Sequence, residues 1–63
     1  MLDHKLSAHE HRIATMVADG ASNRTIGDGL GVSTRAIEHH LTRVYRKLGI
    51  SGRRQVSAAL AAG

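Results

Sequence analysis

Sixty-three residues with no Cys and a single aromatic side chain, Tyr45, make one small domain at most, held together by aliphatic packing. A disulfide framework, a cysteine-based zinc site and a roomy core built around large rings are all excluded. The formal charge is +4 with His neutral, and after Glu38 no acid follows while Arg43, Arg46, Lys47, Arg53 and Arg54 do, so the second half presents a positive field. Nucleic-acid binding explains that field, and so does a plain solvated surface.

Residues 1–5 are polar apart from Leu2 and show no period, which reads as a disordered or linker remnant ahead of a domain over 6–61. Helix one is expected over about 8–19: Ser7 is placed to cap it, Glu10 three positions on completes a capping box, and Leu6 can staple the start. Ile13, Met16 and Val17 supply its apolar stripe, and Gly20 ends it. Ser22 opens helix two, 23–30, whose core residues are Ile26 and Leu30. Gly27 and Gly29 each cost that helix about 0.5–1 kcal/mol relative to Ala. Either backbones approach closely there or the helix is poorly formed. Gly31 supplies the freedom a turn needs, and Val32 is expected as an apolar plug between helices two and three.

Ser33 caps helix three, 34–48, the longest element. Ile37, Leu41, Val44 and Leu48 put four branched side chains on one face; Arg35, His39, Thr42 and Arg46 occupy the other, with Glu38 on its flank. Tyr45 lies near the edge of the wheel and is expected to pack partly on the core. Gly49 is a natural end, Ile50 can fold back, and Arg46 and Lys47 suit the negative end of the helix dipole. Ser51 is expected to cap helix four, 52–61, with Val56, Ala59 and Leu60 facing inward. Nothing alternates at period two, so the fold class is all-α, a compact four-helix domain.

The pair of helices around Gly31 makes a helix-turn-helix, and the outer face of helix three offers donors and acceptors of the kind that read a major groove. No catalytic side chain is needed to explain the layout. The glycines at 27, 29 and 31 lack the preceding strand of a nucleotide fingerprint, so an enzyme is not expected. The five His lack metal-ligand spacing; no metal or cofactor is expected, and His40 should border the scaffold or contact phosphate. The competing reading is a helical protein-interaction or assembly domain with weak or lost DNA affinity, suggested by Glu38 and the glycine-weakened helix two. No apolar run approaches membrane-spanning length and the start lacks a secretory signal, so a cytoplasmic protein without a membrane partner is expected.

The residues carry a pattern that resembles the DNA-binding domain of the LuxR/FixJ/GerE class of bacterial transcription regulators. The matching pieces are Leu6-Ser7-Ala8-His9-Glu10, the run Ala18 to Gly27, the turn Leu30-Gly31-Val32-Ser33, then Ala36-Ile37-Glu38-His39-His40, and finally Val44, Lys47, Leu48, Gly49 and Ile50. No gap is needed over residues 6 to 60. Three positions depart from the pattern: Glu38 stands where Lys is usual, His9 for Arg, and Gly27 for Ala. The run Glu38 to Lys47 resembles the branch found at the C-termini of very large regulators with ATPase or cyclase modules.

The resemblance implies sequence-specific binding of double-stranded DNA with helix three in the major groove, as the C-terminal output domain of a larger regulator. It implies base reading by Arg35, Glu38, His39 and Thr42. Phosphate contacts are then expected from Asn23, Ser33, Thr34, Arg43, Arg46 and Lys47. Arg53 or Arg54 is expected to pair with Glu10 inside the domain. A homodimer through helix 52–61 is implied, and RNA polymerase is a further partner the sequence does not specify.

Overall fold

Each stretch with helical periodicity forms a helix in the computed structural model, which describes residues 5–62. The elements are α1 (Ala8–Ala18), α2 (Asn23–Leu30), α3 (Thr34–Leu48) and α4 (Val56–Ala62), the last led in by a 3₁₀ turn over Arg53–Gln55. Of the expected linker, residues 1–4 lie outside the described residues; Lys5 is exposed and irregular.

Three serines start the first three helices in the same way. Ser7, Ser22 and Ser33 have extended backbones, and their hydroxyl oxygens accept from the N–H groups of Glu10, Thr25 and Ala36 at 3.1, 3.1 and 3.0 Å. Each bond satisfies a donor the helix cannot, a contribution of about 1 kcal/mol. Helix four departs from expectation. Ser51 does not cap it: its hydroxyl donates to Gln55 Oε1 at 2.8 Å, and that same oxygen accepts from Ser51 N at 2.9 Å. The physical reason is the tight first turn, in which Gln55 N bonds to Gly52 O and brings the amide side chain back over Ser51.

Ile13, Ala14 and Val17 from α1, Ile26 from α2, Ile37, Leu41 and Val44 from α3 and Val56 from α4 form the buried core. Met16, Leu30 and Leu48, expected inside, are half-buried at its rim with Leu6, Tyr45, Ile50 and Leu60. Val32 is a correction. It is 37% exposed and plugs nothing, because main chain occupies the space between α2 and the turn. A Cβ on Gly27 would lie 2.7 Å from Val32 O, and Val32 N donates to Gly27 O at 2.9 Å. Gly27 is therefore a close-approach residue, which decides between the two readings of that glycine. Gly29 meets only the Met16 side-chain tip, at 3.8 Å. Gly31, at φ 73°, takes the left-handed conformation that reverses the chain into Ser33.

α1 packs against α2, α3 and α4, while α3 is clasped between α1 and α2. That arrangement covers one side of α3 and leaves the other side bare.

Candidate nucleic-acid interface

The bare side of α3 carries Arg35, Glu38, His39, Thr42, Arg43 and Arg46, all exposed. Glu38, His39, Thr42, Arg43 and Arg46 surround one open depression along two turns of the helix. Arg35 is exposed one turn nearer the helix start and does not line it. Arg43 and Arg46, expected among phosphate contacts, thus share a surface with three of the residues expected to read bases. Thr42 Oγ1 donates to the Glu38 carbonyl at 3.0 Å, so what it has left to offer is its methyl group and oxygen lone pairs.

The remaining expected phosphate contacts fall at helix starts. Ser33 Oγ is engaged as an acceptor by Ala36 N, leaving its hydroxyl proton to donate outward, and Thr34 beside it is exposed. Asn23, at the first turn of α2, accepts at Oδ1 from Arg53 Nη1 at 2.9 Å; the other arm of Arg53 donates to Ala21 O. With its acceptor occupied, Asn23 retains its amide donors, the atoms a phosphate oxygen requires. Sequence reasoning missed Arg53 here. The only signal was its charge, since the partners lie some thirty positions back in the chain.

Lys47 goes elsewhere. Its Nζ donates to Glu10 Oε1 at 2.7 Å, making the acid–base tie that was expected from Arg53 or Arg54. The correction follows from helix geometry: Lys47 is three residues beyond buried Val44 and flanks the covered side of α3, whereas Arg53 turns to α2. The hydrogen bond from Lys47, then the one from Ser7 N at 2.8 Å, hold the Glu10 carboxyl at about 2, against the opposing effect of burial.

His40 is half-buried and borders the scaffold, its ring meeting that of His9 edge-on with centroids 5.0 Å apart. Among the described residues no three His, Asp or Glu side chains are placed to hold a metal ion.

The profile of the bacterial regulatory proteins of the luxR family matches residues 4–60. The chain belongs to that family. Its members are DNA-binding transcription regulators, and the helix-turn-helix here is the DNA-binding part. It is 42% identical over 55 residues to YhjB of Escherichia coli K12, a candidate HTH-type transcriptional regulator, covering 87% of this chain and 28% of YhjB. Rv0890c of Mycobacterium tuberculosis H37Rv, another such candidate, is 41% identical over 51 residues, 81% of this chain but 6% of Rv0890c. The transcriptional regulatory protein DegU of Brevibacillus brevis is 31% identical over 52 residues, 82% of this chain and 22% of DegU. The chain thus spans less than a third of the length of these relatives. No solved structure matches it at a significant level.

Proposed function

We propose that α3 lies in the major groove of double-stranded DNA, with Arg35, Glu38, His39 and Thr42 toward base edges and Asn23, Ser33, Thr34, Arg43 and Arg46 toward phosphates. The observation that carries this reading is the outer side of α3. Six exposed polar or charged side chains share it, and its central depression is lined by none of the core residues. Lys47 leaves the phosphate set because its ammonium is held by Glu10. Asn23 stays in it because Arg53 takes its acceptor and leaves its donors.

Size supports two-fold binding. The molecule measures 34 × 21 × 19 Å. At 3.4 Å per base pair, its narrow dimension covers about six pairs, and two copies fit half-sites one turn of about 34 Å apart. A homodimer through residues 52–61 would use the exposed side of α4, where Ser57, Ala58 and Ala61 present little bulk. The relatives are several times longer than this chain, which supports a DNA-binding module within a longer cytoplasmic regulator, at its C-terminus as the resemblance implies.

Chemical-shift mapping with duplex DNA at low ionic strength tests the reading. Shifts should concentrate at Arg35, His39, Thr42 and Arg46; unmoved signals there would overturn it.

A further inference from the structure

We infer that Glu38 is a specificity-determining residue that makes this chain select a cytosine in the major groove and reject the acceptor edges of guanine and thymine at that position. This rests on the reading that α3 enters the groove. Glu38 is exposed, lines the depression with His39, Thr42, Arg43 and Arg46, and its carboxylate has no ion pair or hydrogen bond among the described residues. It is also the only acid on α3. Arg43 and Arg46 line the same depression without closing on it, so the carboxylate stays available to a base.

A bare carboxylate brought against a base edge is decided by what that edge offers. Guanine presents N7 and O6 and thymine O4, all acceptors, so each leaves the charge desolvated and facing like polarity. Cytosine presents the N4 amino group and forms a charge-assisted hydrogen bond instead. Adenine is less suitable, because its N6 donor sits beside the N7 acceptor, which repels the second carboxylate oxygen. The neighbouring Thr42 sharpens the choice. Its hydroxyl proton is committed to the Glu38 carbonyl at 3.0 Å, so it adds a methyl group and further acceptor lone pairs, with no donor to serve guanine. The C5–H edge next to cytosine N4 is apolar and accepts such a methyl group.

Glu38 should therefore behave unlike the rest of its face. Removing it deletes a negative charge near phosphates, so binding to random DNA holds or strengthens while discrimination falls. Selection from a randomised duplex pool, run with the wild-type chain, Glu38→Ala and Glu38→Gln, separates the outcomes, with circular dichroism confirming equal helix content. The wild type should enrich a C·G pair whose replacement by an A·T pair weakens binding by roughly 10- to 100-fold. Glu38→Ala should level that position, and Glu38→Gln should move it toward adenine, whose N6 and N7 a carboxamide can pair together. A motif that is the same in all three proteins, or a wild-type preference for an A·T pair that Glu38→Ala abolishes, would overturn the inference while leaving DNA binding intact. Failure of the wild type to retain any duplex at low salt would overturn the groove-binding reading, and this inference with it.

Discussion

Lys47, in the last turn of α3, is ion-paired at 2.7 Å with Glu10, in the first turn of α1. The Glu10 oxygen it uses is the one that accepts Ser7 N, so a single atom closes the cap of α1 and anchors the far end of the groove-facing helix. A cation that looked available to DNA is thereby part of the scaffold.

That tie sets an acid limit on stability. The Glu10 carboxyl titrates at about 2 in the fold, below its ordinary 4.5, so its contribution is complete above about pH 4.5 and is lost as pH falls toward 2. The urea midpoint should drop across that window. Lys47→Met should flatten the drop and lower stability at pH 7 by about 1–2 kcal/mol, the modest end for a buried pair because the Lys47 side chain is 36% exposed. Urea titrations of both proteins at pH 7, 4 and 2.5 check this; an unchanged acid limb in the variant would refute the assignment.

Arg46 and Arg43 line the outer depression and carry no internal ion pair among the described residues. Arg46→Ala or Arg43→Ala should weaken binding to cognate and random duplexes alike. Each should also reduce the slope of log affinity against log salt by about 0.9 if it removes one phosphate contact. Lys47→Met, measured by the same titrations, should leave that slope unchanged.

Asn23 and Arg53 should act as one unit, since Arg53 Nη1 is 2.9 Å from Asn23 Oδ1. Asn23→Ala and Arg53→Ala should each weaken DNA binding. The double variant should lose less than the sum of the two, leaving a coupling of about 0.5–3 kcal/mol. Additive losses in a double-mutant cycle would mean that the two side chains act separately.

The two glycines of α2 should respond oppositely to the same change. Gly29→Ala meets only an ordinary contact and should raise stability by about 0.5–1 kcal/mol through helix propensity. Gly27→Ala forces its methyl group onto Val32 O and should cost about 1 kcal/mol net, with the turn displaced. Thermal melts of the two variants side by side give the signs directly.

The positions of α1 to α3, their serine caps, the aliphatic core and the bare polar side of α3 were all legible in the sequence. Each follows from local periodicity and from the backbone donors at a helix start, which neighbouring residues satisfy. The partners of the long cationic side chains were not. Lys47 and Arg53 each have reach enough for several acceptors, and only the packing of α1 on α3, and of the Arg53 turn beside α2, brought Glu10 to one and Asn23 to the other. Val32 shows the same division: its apolar character is local, but whether a side chain or main chain fills the turn depends on how close α2 lies to it. Periodicity records which face of a helix is covered. It holds no information on which distant residue covers it, because that contact exists only once the helices have been brought together.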